Sequence, residues 1–163
     1  MRILGIDPGY AIVGFGVVEY AGAAFKAIEY GALLTEAHTP FDRRLISIDE
    51  DMQEVLRRFQ PDCMAIERLY FTTNQKTAID VAQARGILIL SAAKKGIPIF
   101  EYTPLQVKQA VAGYGKAEKH QVMDMTRRIL KLAQIPKPDD AADALAIAIC
   151  HGHSTRGLMQ YQR

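Results

Sequence analysis

The chain opens on RILGIDPG, residues 2–9, and this stretch decides its fold. The apolar run is typical of a buried strand, and Pro8, which has no N–H for a ladder, predicts that the strand ends near Asp7. A carboxylate at the end of a central strand is costly to bury unless a cation pairs with it. Asp7 therefore either orders the turn at Pro8 and Gly9 or joins other carboxylates at a shared site.

Two further strands follow at once. In the second, at residues 12–20, Gly14 and Gly16 lie two apart and leave one face bare, which allows a helix or a ligand to approach the backbone closely. A turn at Gly22 then leads into a third strand at residues 24–35. Short connections between consecutive strands predict an antiparallel meander.

Strands and helices alternate along the rest of the chain. We predict strands at 63–67 and 97–102 and helices at 39–59, 74–95, 103–113, 117–132 and 139–151. In the first helix, Thr39 is expected to be the N-cap and Pro40 the first helical residue. This order predicts an α/β fold with a mixed sheet of five strands, flanked by helices on both faces. We expect one domain at residues 1–153 and a loosely ordered tail at 154–163.

Composition limits the class of protein. At 163 residues, 49% hydrophobic and 23% charged, the chain is typical of a soluble globular protein. It has no run of about 18 apolar residues that would span a membrane, and it enters its first strand without a leader sequence, so no membrane partner is expected. Cys63 and Cys150 lie far apart in apolar stretches, which predicts buried free thiols and a cytoplasmic location.

The net charge of +2 hides an uneven distribution. Residues 19–62 contain nine acidic and five basic residues, whereas residues 94–131 contain eight basic and three acidic ones. The basic segment suggests an anionic partner on one side of the molecule, although a solvated helix surface would also explain it.

Carboxylates stand at the ends of several predicted elements. Asp7 and Glu67 end buried strands, where ligands of α/β sheets bind. Asp140 and Asp143 are three residues apart and share one face of the last helix, whose many alanines let it lie close to the sheet. If the start of that helix packs over the strand ends, the four carboxylates share one cleft. Capping by Asp139 and Asp140, and an ordinary surface position for Glu67, are the structural alternatives.

Four carboxylates in one cleft would repel each other, and a divalent metal ion would relieve the repulsion. Ligands that are all anionic oxygens select Mg²⁺ or Mn²⁺, and the sequence offers no His and Cys set for zinc. Two ions about 4 Å apart, bridged by Asp7, would suit an in-line displacement at phosphorus.

The motifs around these acids closely resemble those of the RuvC Holliday-junction resolvases of bacteria. The matching stretches are LGIDPG at 4–9, AIE at 65–67, QARG at 83–86, VKQAVAGYGKAEK at 107–119 and DDAADALAIAICH at 139–151. Their order and spacing are highly specific, and the resemblance runs from residue 1 to about residue 153. It implies a ribonuclease H-like fold.

The resemblance also implies an activity. A RuvC-like chain would be a homodimeric crossover junction endodeoxyribonuclease that uses two Mg²⁺ per subunit, for which Mn²⁺ may substitute. In recombination and repair it would nick two opposed strands of a four-way DNA junction symmetrically, leaving 5′-phosphate and 3′-hydroxyl ends. The family's partners are RuvA and RuvB. Its catalytic and metal-binding acids fall on Asp7, Glu67, Asp140 and Asp143.

Five other residues are candidates for DNA contact. Lys108, Lys116 and Lys119 lie around a glycine-rich loop, and the resemblance favours the first and last of them; solvated lysines are the alternative. Tyr70 stands where the family commonly has Phe, and it or Phe71 would stack on an unpaired junction base unless Phe71 packs in the core.

Other functions fit parts of the pattern. A sugar-kinase or actin-like ATPase also begins with a strand, an Asp and a glycine-rich hairpin, but needs two such lobes. A non-catalytic junction-binding module would lack the four acids. A relative that cuts RNA or RNA–DNA hybrids is the third alternative. For the dimer surface we expect the apolar helix at 74–95.

Overall fold

The computed structural model describes residues 1–70 and 75–160 and contains ten elements in the predicted order. The strands are β1 Arg2–Asp7, β2 Ile12–Ala21, β3 Ala24–Leu34, β4 Cys63–Glu67 and β5 Ile99–Tyr102. The helices are α1 Phe41–Phe59, α2 Gln75–Lys94, α3 Pro104–Ala112, α4 Lys119–Ile129 and α5 Asp139–Gln160.

The strands form one mixed sheet in the order β3-β2-β1-β4-β5. The first three strands pair antiparallel, as the meander predicted, whereas β4 lies parallel to β1 and β5 lies parallel to β4. Because β1 and β4 run the same way with Ile6 opposite Ile66, their carboxyl ends meet at one edge of the sheet. The predicted five-stranded mixed sheet is confirmed.

Helices cover both faces of the sheet. Alternate residues of β1 point to opposite sides, so Ile3 packs in the core beneath α3, α4 and α5, while Leu4 and Ile6 pack in the core beneath α1 and α2. Both cores consist mainly of buried aliphatic side chains with a few aromatic and sulfur-containing ones, and their burial provides most of the folding free energy of such a domain.

The close approach of α5 to the sheet depends on glycines. A Cβ at Gly14 would overlap the carbonyl of Asp140, a Cβ at Gly5 would overlap the carbonyl of Ala144, and a Cβ at Gly16 would lie 2.8 Å from the Leu145 side chain. The bare face predicted for β2 is therefore occupied by a helix, which lies directly on the backbone of the sheet.

Some helix ends differ from the prediction. Helix α1 begins at Phe41, because Pro40 has a ψ of 141° and is itself the N-cap, so the expected capping by Thr39 is wrong. Thr103 does cap α3, accepting a hydrogen bond from the N–H of Gln106 at 3.1 Å. The predicted first residue of α2, Asn74, lies outside the described residues.

The last helix is longer than expected. We predicted an end near His151, but α5 continues to Gln160. Gly152 fits against the ring of Phe25, and the Ser154 hydroxyl donates to the Cys150 carbonyl at 2.8 Å, so the helix stays packed beyond the predicted end. The division into a domain at 1–153 and a loosely ordered tail at 154–163 stays a prediction.

Both cysteines are free and buried, as predicted. Burial raises the pKa of each thiol to about 11, which keeps Cys63 and Cys150 protonated and unreactive at neutral pH. Among the described helices, none is long and apolar enough to cross a membrane.

Candidate active site

Four carboxylates meet at the carboxyl edge of β1 and β4. Asp7 and Glu67 are the last residues of these two neighbouring strands. Asp7 pairs in register with Gly14, and Gly14 lies directly beneath Asp140 in the first turn of α5. The helix therefore places Asp140, and Asp143 one turn later, above the strand ends, as the sequence predicted.

Asp7 is the most strongly perturbed carboxyl group. Burial, followed by the charges of Glu67, Asp143 and Asp140, raises the pKa of Asp7 to about 8, and the charge of Lys119 opposes this shift. A carboxyl with such a pKa is partly protonated at neutral pH unless a cation binds beside it. The structure thus brings all four predicted acids into one electrostatic cluster.

The pKa values of Glu67 and Asp143 are raised as well. Burial is the main cause that raises the pKa of Glu67, and the charge of Asp143 adds to it. Burial also raises the pKa of Asp143, although Lys119 counteracts part of this rise. Nζ of Lys119 lies 3.0 Å from Oδ2 of Asp143. One lysine thus provides part of the positive charge that the cluster lacks.

The carboxylate oxygens of this cluster are the kind of ligand that a hard cation such as Mg²⁺ prefers. Within residues 1–70 and 75–160, no hydrogen-bond donor from the protein reaches the carboxylates of Asp7, Glu67 or Asp140, so their oxygens keep free lone pairs. No three acidic, His or Cys side chains of this described part are already closed around a metal position. Asp143 is paired with Lys119 through Oδ2, which leaves its Oδ1 as a further oxygen ligand.

A cleft of about 280 Å³ opens beside the acids. Its lining includes two acids, Glu67 and Asp143, two lysines, Lys108 and Lys119, and apolar residues such as Val107. A phosphodiester entering this cleft would meet both the ammonium groups and the carboxylates.

Two further candidates for DNA contact, Lys116 and Tyr70, are not among the described residues that line the cleft. Lys116 is exposed in the turn between α3 and α4, and the side chain of Tyr70 is exposed just after β4. Phe71 lies outside the described residues, so the choice between Tyr70 and Phe71 stays open.

Two features were missed by reasoning from the sequence. Lys119 was expected to contact DNA, but its ion pair with Asp143 was not foreseen. Arg85, inside the QARG motif, was assigned no role, yet its Nε donates to the carbonyl of Glu67 at 3.1 Å. Only the presence of Arg85 in a family motif could have drawn attention to it.

Comparison with known proteins adds an independent line of observation. A family model described as Crossover junction endodeoxyribonuclease RuvC matches residues 3–151. A protein of that name from Ruminiclostridium cellulolyticum is 54% identical over 156 residues, 96% of this chain and 94% of the relative. Another, from Desulforamulus reducens, is 56% identical over 151 residues, 93% of each chain.

A solved structure has the same fold throughout. The structure of Thermus thermophilus RuvC in complex with Holliday junction substrate superposes with a TM-score of 0.88 and 36% sequence identity. The superposition covers 96% of both chains, so the similarity includes all the elements that carry the acids.

Proposed function

Since the chain belongs to the RuvC family of crossover junction endodeoxyribonucleases, we propose that Asp7, Glu67, Asp140 and Asp143 hold the metal ions with which it resolves Holliday junctions. The fold is the ribonuclease H-like fold of RuvC, and the enzyme is a nuclease of recombination and repair. Phosphodiester hydrolysis at the acidic cluster would leave 5′-phosphate and 3′-hydroxyl ends.

The observation that carries this proposal is the raised pKa of Asp7 within the cluster of four carboxylates. Burial and three neighbouring carboxylates raise its pKa to about 8, and the charge of Lys119 opposes only part of this rise. Bound Mg²⁺ or Mn²⁺, as a pair of ions, would activate the attacking water and stabilise the leaving 3′ oxygen. Asp7, Glu67, Asp140 and Asp143 would together hold the ions, while Lys108 and Lys119 would hold the phosphate backbone.

The assembly is proposed on the same basis. A homodimer would present two such clefts to opposed strands of one junction, and the apolar helix α2 is its proposed contact surface. RuvA and RuvB, the partners implied by the family, would bring the enzyme to the junction in the cytoplasm.

The first experiment compares a labelled four-way junction with a linear duplex of the same sequence. We expect paired symmetric nicks in the junction alone, with Mg²⁺ and not with EDTA. Junction binding without cleavage in Mg²⁺ or Mn²⁺ would instead indicate a binding module, and cleavage of an RNA–DNA hybrid alone would indicate the RNA-directed relative. Asp7→Asn, purified in the same way, controls for contaminating nucleases.

Lys119→Ala is expected to weaken junction binding and to reduce the slope of log Kd against log salt by about 1, because one phosphate contact is lost. Lys137→Ala is the matched control, since Lys137 also pairs with an acid of α5, at 2.9 Å from Asp139, but does not line the cleft. An unchanged slope for Lys119→Ala, measured by fluorescence anisotropy without metal, would remove Lys119 from the phosphate contacts.

A further inference from the structure

We propose that Arg85 is a positioning residue for Glu67: by holding the peptide bond that follows Glu67, it aims this carboxylate into the cleft. The inference rests on the proposed catalytic role of Glu67. Arg85 is not itself one of the described residues that line the cleft, and it reaches the cleft only through its contact with Glu67.

The peptide bond between Glu67 and Arg68 is held at both ends. Its carbonyl oxygen accepts a hydrogen bond from Nε of Arg85 at 3.1 Å, and its N–H donates to the carbonyl of Tyr102 at 2.8 Å. Because a peptide unit is planar and rigid, fixing both its oxygen and its nitrogen fixes the backbone direction at the Cα of Glu67. The direction of that backbone determines where the carboxylate can point.

The sheet alone does not provide this restraint. The register between β1 and β4 ends at the pair Ile6 and Ile66, so Glu67 has a strand partner only on its β5 side, where it lies opposite Tyr102. Glu67 is also the last residue of a strand of five. A side chain from α2 therefore supplies a restraint at the point where the ladder to β1 stops.

Arg85 is itself held in a fixed orientation. Its Nη2 lies 2.8 Å from Oε2 of Glu101 in β5, and its side chain is only 15% exposed, against 49% for that of Glu101. A guanidinium offers donors in a rigid planar fork, so one side chain can bond Glu101 and the carbonyl of Glu67 at once. A lysine would keep the charge and lose this two-directional geometry.

The test compares single-turnover cleavage by the full-length chain at saturating enzyme. We expect Arg85→Met to cut about 100-fold more slowly, as small misplacements of a catalytic group do, with a junction Kd within about 2-fold of wild type. Arg85→Lys should lose part of the rate. Glu101→Gln, which leaves Nε of Arg85 free to bond Glu67, should lose less than Arg85→Lys.

Arg128→Met is the matched control, because Arg128 also pairs with a carboxylate, at 2.8 Å from Asp124, but lies 64% exposed on α4. It should cut at the wild-type rate. As a readout apart from activity, Mn²⁺ binding to the DNA-free protein, followed by electron paramagnetic resonance, should weaken in Arg85→Met and not in Arg128→Met. A structural role alone would lower the melting temperature and leave the Mn²⁺ affinity of the folded protein unchanged.

The proposal is overturned if Arg85→Met cuts within about 3-fold of the wild-type rate, because this is less than half of the increase in activation free energy that a 100-fold loss represents. It is also overturned if the defect of Arg85→Met lies wholly in the junction Kd. Should Arg85→Met not fold, Arg85→Lys decides: a wild-type rate and Mn²⁺ affinity overturn the proposal. Glu67→Gln runs in parallel. If Glu67→Gln cuts normally, the proposed role of Glu67 fails; if it is inactive while Arg85→Met is fully active, only the positioning role fails.

Discussion

Replacing Asp7 with asparagine is expected to abolish junction cleavage and to leave junction binding intact. The charges of the other three acids all raise the pKa of Asp7, and in the proposed mechanism Asp7 helps to hold the metal ions. Its loss removes several kcal/mol of transition-state stabilisation, which corresponds to about 10³-fold or more in rate. Binding should persist, because the substitution removes a negative charge and no phosphate contact.

Single-turnover cleavage and fluorescence anisotropy on the same junction check this expectation. Asp139→Asn is the matched control, since Asp139 is a half-exposed acid beside Asp140 in the first turn of α5, and its hydrogen bond with Lys137 lowers its pKa. It should cut close to the wild-type rate. Full cleavage by Asp7→Asn would end the proposed role of Asp7, and a loss of binding by a folded variant would make Asp7 a DNA contact.

The same substitution should stabilise the metal-free protein. The pKa of Asp7 is raised from 3.8 in the unfolded chain to about 8 in the folded one, so the folded state binds the proton more tightly. Stability in EDTA therefore falls as pH rises from about 4 to about 8, by an amount of the order of 3 kcal/mol. Asp7→Asn removes the part of this dependence that belongs to Asp7, whereas the raised pKa values of Glu67 and Asp143 maintain a smaller fall.

Thermal unfolding in EDTA at several pH values measures the effect. The melting temperature of Asp7→Asn should exceed that of the wild type at pH 8, and the two should agree near pH 4. Mg²⁺ should raise the melting temperature of the wild type more than that of the variant, because the metal binds the ionised cluster. An equal melting temperature at pH 8 would mean that neither burial nor the neighbouring carboxylates raise the pKa of Asp7 in the folded protein.

The acids and the helix that carries two of them followed from the sequence because both depend on local signals. Asp7 and Glu67 end apolar runs, and the spacing of Asp140 and Asp143 places them on one helix face. The bare face of Gly14 indicated that something lies close to it, and the structure shows that this is the backbone of α5. Each of these predictions could be made from the sequence of a single strand or helix together with one general rule of packing.

The missed contacts join elements that are distant in the sequence. Lys119 and Asp143 lie on α4 and α5, and Arg85 reaches Glu67 across 18 positions of the chain. Which side chains meet there depends on the placement of whole helices over the sheet, and no periodicity within one helix records it. The N-cap of α1 was also not predictable from the sequence. Thr39 and Pro40 both suit a helix start, and only the backbone angles of Pro40 show that it is the N-cap.

Gly14→Ala should damage both stability and cleavage, because no side chain can move aside to make room for the new methyl group. The added Cβ would overlap the backbone carbonyl of Asp140, which belongs to the first turn of α5. The helix must therefore shift away from β2, at a cost of about 1–3 kcal/mol in the free energy of unfolding. A shift of that turn would also displace Asp140 and the following Asp143 from the acidic cluster. The rate of cleavage should therefore fall by about 100-fold or more.

Gly31→Ala is the matched control on the neighbouring strand. Gly31 lies in β3 and pairs with Phe15 of β2. A Cβ at Gly31 would meet only the edge of the Phe15 ring, at 3.1 Å, so a small movement of the ring relieves the contact. Chemical denaturation and single-turnover cleavage should separate the two variants clearly. If Gly14→Ala keeps the wild-type rate, α5 can move without carrying Asp140 and Asp143 out of position, and the contact with Gly14 does not set the geometry of the acids.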